Sequence, residues 1–183
     1  IQVRTRSGAL GASWLGDRGY AGLSVDRFLD AYGSPAEPGD AAAGEPPVTI
    51  RMVQDNINFR TGLNHPWPGI DKLDLSLGHG TYHHGEYAGD ALDTRFHTQA
   101  NKTRLVLDHA PLGAWRGALG MQTSHQRFEA SGEESFIPAS RTREAGLFVL
   151  EQRDAGPWKL QLGARRGQVR VVTRTGAART FTP

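Results

Sequence analysis

The segment Leu73-Asp74-Leu75-Ser76-Leu77-Gly78 places a leucine at every second position, with a polar residue or a glycine between them. The segment Trp158-Lys159-Leu160-Gln161-Leu162-Gly163-Ala164-Arg165 repeats this alternation near the other end of the chain. A period of two residues is typical of a β-strand, because successive side chains of a strand point to opposite faces. No segment has a convincing apolar period of 3.6 residues, so the sequence predicts an all-β fold.

Short turn signals recur at nearly even intervals along the chain. They start at residues 16, 64, 110 and 154, which are 48, 46 and 44 residues apart. Longer polar or Gly/Pro-rich connections at residues 33–47, 83–91 and 130–142 alternate with them. This alternation is typical of outer-membrane barrels, in which the periplasmic turns are short and the outward loops are free to lengthen.

These signals predict an antiparallel up-and-down transmembrane β-barrel segment. Its eight strands are expected at residues 3–15, 20–32, 49–63, 70–82, 94–109, 115–129, 143–153 and 158–172. The polar positions of the strands carry long cations, at Arg104, Arg116, Lys159 and Arg165. So many cations favour the wall of a larger barrel over a small closed one. We therefore expect residues 1–183 to be part of an outer-membrane barrel domain.

The composition agrees with a barrel and argues against other classes. The chain has 183 residues, 38% of them hydrophobic, and a mean hydropathy of -0.48. No run approaches the ~20 apolar residues of a membrane-spanning helix, whereas a barrel strand needs only about 9–11 alternating residues. With 21 Lys+Arg against 19 Asp+Glu and no separate basic cluster in the sequence, nucleic acid is not expected as a partner. Cysteine is absent, which excludes disulfides and thiolate metal sites.

Aromatic residues stand beside the short turns. They are Trp14, Tyr20, Trp67, Trp115 and Trp158. Tryptophan and tyrosine also favour strand ends and protein interiors in general. Five such positions at the short-turn ends of the strands nevertheless favour an interfacial girdle at one face of a membrane.

Several tracts together resemble the barrel domain of TonB-dependent outer-membrane receptors, over residues 48–150 in particular. The tracts are Ser-Trp-Leu-Gly-Asp-Arg-Gly-Tyr at 13–20, Pro-Gly-Ile-Asp-Lys-Leu at 68–73, His-Ala-Pro-Leu-Gly-Ala-Trp-Arg-Gly at 109–117, Gly-Glu-Glu-Ser-Phe-Ile-Pro at 132–138, Ser-Arg-Thr-Arg at 140–143 and Leu-Phe-Val-Leu-Glu at 147–151. The resemblance is strongest to the subgroup that takes up zinc.

The resemblance implies a bacterial outer-membrane location and energised import of a metal ion or metal complex, with zinc as the expected cargo. Such receptors have more strands than eight, a plug domain and a TonB box. We expect this chain to contain neither the plug domain, nor the TonB box, nor the remaining strands. Contact with the TonB complex would therefore be made by other parts of the receptor. Outer-membrane lipid and the metal cargo are the partners expected here, and no resident cofactor is required.

One dense group of candidate metal ligands lies between residues 79 and 97. It comprises His79, His83, His84, Glu86, Asp90 and His97. Imidazole and carboxylate groups suit zinc, which usually takes four ligands. Strand parity places His84 and Glu86 with Tyr82 on the lumen side and His79 and His83 on the other. The resemblance implies an acidic ligand from this hairpin, and Glu86 matches it best.

Three classes of function remain open on the sequence alone. The first is a transporter part, whose strands at 70–82 and 94–109 carry ligands toward the outer face. The second is a structural or adhesion barrel without transport, and the third is a soluble β-barrel or β-sandwich that binds a ligand. An enzyme is not expected, because Ser124-His125 and Ser76 with His79 lack an oriented acid and no Gly-x-Ser-x-Gly motif occurs.

Overall fold

The computed structural model describes residues 3–34, 48–132 and 136–182. The parts of the predicted connections at 35–47 and 133–135, which include Glu133 and Glu134, lie outside the described residues. Within the described ranges, nine antiparallel strands form one sheet and follow one another in sequence order. They are β1 (Val3–Gly16), β2 (Gly19–Gly33), β3 (Val48–Trp67), β4 (Ile70–Ala88), β5 (Ala91–Leu112), β6 (Trp115–Gly132), β7 (Ser140–Ala155), β8 (Trp158–Thr173) and β9 (Ala178–Phe181).

The predicted all-β, up-and-down architecture is confirmed, with all eight expected strands in place. Residues Asp17, Pro68, Gly113 and Gly156 each lie in a two-residue turn between paired strands. We keep the name short turns for these four, which lie at one edge of the sheet. The short strand β9, which pairs residue by residue with the end of β8, was not predicted. Among the described residues no helix is long and apolar enough to cross a membrane.

The connection expected at residues 83–91 is not a long loop, and that prediction is wrong. Strand β4 continues to Ala88 and β5 begins at Ala91, which leaves a two-residue turn with Gly89 at a φ of 62°. Positive φ is easily adopted by glycine, so the turn closes without strain. Continued pairing of the two strands satisfies the backbone groups that a loop would leave to water.

The two faces of the sheet differ in chemistry. We call the face that carries Leu75 the belt face and the face that carries Asp74 the polar face. Side chains on the belt face are largely uncovered, with Leu10 76% exposed and Leu162 53% exposed. No hydrophobic residue of the described ranges is buried. An uncovered apolar surface of this extent is typical of a contact with another protein, with a ligand or with lipid.

The aromatic residues beside the short turns are divided between the two faces of the sheet, and a membrane girdle stays a prediction. Trp14, Trp115 and Trp158 fall on the belt face beside short turns, as their strand parity with neighbouring belt residues shows. Tyr20 lies on the polar face instead, where its hydroxyl donates a hydrogen bond to Asp74. Strand parity places Tyr20 on this face. Its ring fits there because the cross-strand neighbour, Gly62, has no side chain.

Candidate functional site

The belt face carries an apolar belt, which Glu151 interrupts on β7 opposite Leu162. The belt is defined here as the residues that the following sentence names. They are Leu10, Ala12 and Trp14 on β1, Leu23 and Val25 on β2, Ile57, Phe59 and Leu63 on β3, Leu73, Leu75 and Leu77 on β4, Leu105 and Leu107 on β5, Trp115, Leu119 and Met121 on β6, Leu147 and Val149 on β7, and Trp158, Leu160, Leu162 and Ala164 on β8. Each of these eight strands contributes at least two apolar side chains.

The belt shifts steadily along the strands from β1 to β8. Cross-strand pairing leads from Ala12, at the centre of the belt on β1, to Gln168 on β8. The belt on β8 is centred on Leu162, six residues nearer the short turn. Six residues span about 20 Å, and the seven intervals between these strands span about 34 Å. A belt at constant height therefore corresponds to strands tilted by about 30°, slightly below the 35–45° that is usual in membrane barrels.

The short turns shift by the same amount as the belt. Pairing leads from Gly16, the last residue of β1, to Ala164 on β8, and β8 begins six residues earlier at Trp158. Belt and turns thus keep a constant separation across the sheet. Tryptophans at Trp14, Trp115 and Trp158 occupy the border between them.

The polar face brings together three of the residues that the sequence places on one parity. The Tyr82 hydroxyl lies 3.2 Å from His84 Nδ1, and His84 Nε2 lies 3.5 Å from Glu86 Oε1. His84 Nε2 is inaccessible to solvent and makes no hydrogen bond within the described residues. If Nδ1 carries the proton and donates to Tyr82, Nε2 presents its lone pair beside the carboxylate, as a metal ligand requires.

Aromatic rings border this cluster. The His84 ring lies 5.2 Å from the Phe96 ring, and the Phe96 ring lies 6.3 Å from that of Phe128. Phe96 is the cross-strand neighbour of His84 on β5, so register places an apolar surface directly beside the imidazole. The cluster therefore combines one imidazole, one carboxylate and an aromatic border.

The other candidate ligands lie elsewhere. His83 and His97 are cross-strand partners on the belt face, with stacked rings 4.3 Å apart and their Nδ1 atoms 3.2 Å apart. His79 is on the same face and contacts the Asn101 side chain at 2.8 Å. Asp90 is at the exposed hairpin tip. In the described part of the chain no three His, Cys, Asp or Glu side chains are grouped to hold a metal ion, so the six candidate ligands are not brought together as one group. Metal binding by His84 and Glu86 stays a prediction.

A shallow groove continues along the polar face from Tyr82 toward the short turns. Its lining includes Gln54, Asn56, Asn58, Thr98 and Lys102. Asn56 donates a hydrogen bond of 2.7 Å to Asp26, which fixes one of these amides. The groove is therefore a hydrogen-bonding surface below the Tyr82, His84 and Glu86 cluster, which sequence reasoning missed because its residues come from three strands.

A second polar cluster lies near the short turns. The Tyr20 hydroxyl donates a 2.8 Å hydrogen bond to Asp74, and Lys72 pairs with the same carboxylate at 2.8 Å. A Cβ atom on Gly62 would lie 2.4 Å from the Tyr20 ring, so the ring packs directly over that glycine. This cluster ties β2 to β4 across β3.

We expect Tyr20→Phe to lower the free energy of unfolding by about 1–2 kcal/mol, because a part-buried carboxylate loses a hydrogen-bond donor. Equilibrium unfolding in urea, followed by tryptophan fluorescence, measures the change. Tyr87→Phe is the matched control, since the Tyr87 hydroxyl makes no side-chain hydrogen bond within the described residues. Equal effects of the two substitutions would contradict the importance of the Asp74 contact.

The serine and histidine pairs considered for catalysis are divided between the faces. Ser124 and His125 are consecutive residues of β6, and Ser76 and His79 are an odd number of residues apart on β4. Residues at such spacings point to opposite sides of a regular strand. Neither pair can therefore form a nucleophile with its own base.

The fold has a counterpart among solved structures. No protein-family model matches the sequence. The structure is similar to that of BauA, the ferric preacinetobactin receptor from Acinetobacter baumannii, with a TM-score of 0.66 and 12% sequence identity. The similarity covers 98% of this chain and 36% of the receptor chain, so this chain spans little more than a third of that receptor. At this identity the likeness concerns the fold alone, and it does not support the zinc-uptake subgroup.

Proposed function

We propose that this chain forms part of the wall of an outer-membrane receptor that imports a metal ion or a metal complex. The belt is the observation that carries the proposal. Its shift with the strand register gives the tilt that strands need to hold an apolar surface level in a bilayer. In this proposal the belt face contacts lipid and the polar face lines the import route. The role is binding and passage of cargo, without catalysis.

The His84 and Glu86 end of the polar face supports import because an imidazole and a carboxylate suit a cation. The unpartnered Nε2 atom of His84 and the Glu86 carboxylate lie at the end of the strands away from the short turns, where cargo would arrive. The amide-lined groove below them offers oxygen and nitrogen atoms along the wall. Similarity to a ferric preacinetobactin receptor is consistent with a metal complex as cargo.

The identity of the metal is a finer proposal. An imidazole with a carboxylate suits zinc, but zinc usually takes four ligands. This chain would then supply two of them and other parts of the receptor the rest. A preformed metal complex needs fewer protein ligands, and the rings of Phe96 and Phe128 offer an apolar surface for an organic chelator.

We expect His84→Ala and Glu86→Ala in the intact receptor to weaken metal capture by about tenfold or more, as loss of metal-site groups commonly does. Uptake is measured under metal limitation, once with free zinc and once with a ferric chelate. Loss with free zinc alone would favour zinc as cargo. Loss with the chelate alone would favour a metal complex.

His83→Ala is the matched control for this experiment. His83 is adjacent to His84 in sequence but lies on the belt face against His97. We expect its uptake to equal that of the wild type with either cargo. The proposal fails if His84→Ala and Glu86→Ala leave both uptakes unchanged, or if His83→Ala reduces them equally.

A further inference from the structure

Arginines gather on the belt face of β6, β7 and β8, beyond the apolar belt on the side away from the short turns. We call Arg127, Arg141, Arg143, Arg166 and Arg170 the arginine patch, and all five are exposed. Cross-strand register places Arg127 directly opposite Arg141 and Arg143 directly opposite Arg170. In the linear sequence these residues are separated, and pairing of the strands brings them together.

Within the described residues the patch carries more positive charge than the acids on its own face can neutralise. None of the ion pairs found among the described residues involves an arginine of the patch. Glu144, the acid next to Arg143, lies on the polar face opposite Ser124. Glu129 is the one acid of β6 on the belt face beside the patch, two residues from Arg127, and it forms no ion pair with the five arginines. Like charges directly opposite each other destabilise an antiparallel pair, so the two Arg–Arg pairs lower stability unless an external anion binds.

The beginning of the sheet shows the contrast. On β2 and β3 the corresponding band of the belt face carries Arg27, which is paired with Asp55 through two hydrogen bonds of 2.7 and 2.9 Å. Arg4 and Arg6 on β1 lie on the same face opposite Ala31 and Leu29, not opposite other arginines. A cation beside the belt can therefore be neutralised within the sheet. On β6 to β8 this arrangement is replaced by arginines opposite arginines.

The position of the patch identifies the environment of the anion. Arg143 is four residues beyond Leu147 of the belt, and Arg170 is six residues beyond Ala164. These separations are about 13 Å and 20 Å along a strand. With the belt in the hydrocarbon of a bilayer, the patch lies at the level of the lipid headgroups. One guanidinium group can donate two parallel hydrogen bonds to a phosphate, so arginines at this level can bind lipid headgroup phosphates.

We propose that the arginine patch binds the phosphate groups of an anionic membrane lipid in the leaflet on the side away from the short turns. This inference depends on the membrane insertion proposed above but not on the cargo. A bound phosphate accepts hydrogen bonds from arginines on neighbouring strands and removes their repulsion. The lipid thereby becomes part of what holds β6, β7 and β8 together.

The test compares lipid binding by the intact protein in neutral detergent micelles, with diphosphoryl lipid A or its dephosphorylated form added. Native mass spectrometry measures the affinity for each. We expect binding of the phosphorylated lipid, and a loss of about 25-fold in Arg143→Gln/Arg170→Gln, from about fivefold for each arginine near a membrane surface. In lipid-free micelles the same variant should unfold at a higher temperature than the wild type, because repulsion is relieved.

Arg60→Gln/Arg165→Gln is the matched control, because it removes the same charge from the polar face. We expect it to change lipid affinity by less than about twofold. The inference is overturned by equal affinity for the dephosphorylated lipid, by complete displacement with millimolar inorganic phosphate, or by an equal loss in the control. If lipid binding follows the prediction while His84→Ala leaves metal uptake unchanged, the lipid surface stands and the cargo proposal fails.

Discussion

Leu162→Arg is expected to destabilise the protein in a bilayer by about 2–4 kcal/mol, the cost of a cation at the middle of the lipid face of a barrel. Leu162 is 53% exposed and sits at the centre of the belt on β8, between Leu160 and Ala164. Its cross-strand partner is Glu151, whose carboxylate is already in contact with His109 at 3.1 Å. A long side chain at this depth must reach past about half the belt to place its charge in water. Folding and unfolding in urea with phosphatidylcholine vesicles measures the difference.

Gln161→Arg is the control for this substitution. Gln161 is the adjacent residue, lies on the polar face and contacts Gln152 across the strands. A cation there faces polar groups, so we expect a change of less than about 1 kcal/mol, as near the polar borders of barrel walls. Equal destabilisation by the two substitutions would contradict a lipid-facing belt. A reversed order would indicate that the polar face is the one in lipid.

Strand positions could be predicted from the sequence because the apolar period is regular. The leucines at 73, 75 and 77 fix the parity of β4, and Gly156-Pro157 marks the turn before β8. The end of β4 could not be predicted in the same way. Its residues from His83 to Ala88 are polar or small and have the composition of a loop. Pairing with β5 nevertheless continues there, because cross-strand neighbours such as His83 and His97 stack.

For the candidate metal site, strand parity could be read from the sequence but the register between strands could not. Parity correctly separated His84 and Glu86 from His79 and His83. Register, which depends on the turn length at Gly89, decides that His97 faces His83 and not His84. Metal binding itself stays a prediction. The groove beside it and the arginine patch depend on register across several strands, so no single stretch of sequence contained their signal.

Substitution of Gly120 is expected to cause a second large effect, on the polar face. A Cβ atom at Gly120 would lie 1.9 Å from the Phe148 ring, which packs over the glycine from the neighbouring strand. Arg104 lies over the Phe148 ring, 4.6 Å from its centroid. Gly120→Ala must displace the ring and disturb this stack. We expect a loss of about 1–3 kcal/mol in the free energy of unfolding, the usual cost of overpacking.

A double-mutant cycle separates this steric effect from the general preference of strands for residues other than glycine. Once Phe148→Ala has removed the ring, an alanine at position 120 meets no obstacle, so Gly120→Ala should then cost almost nothing. We expect a coupling energy of about 1–3 kcal/mol. Gly8→Ala is the control, because a Cβ there meets nothing within 4 Å and should change stability by less than about 1 kcal/mol. Additive effects at Gly120 and Phe148 would mean that the ring does not depend on the glycine beneath it. The presence of Phe148 between Leu147 and Leu150 would then need an explanation other than its contact with Gly120.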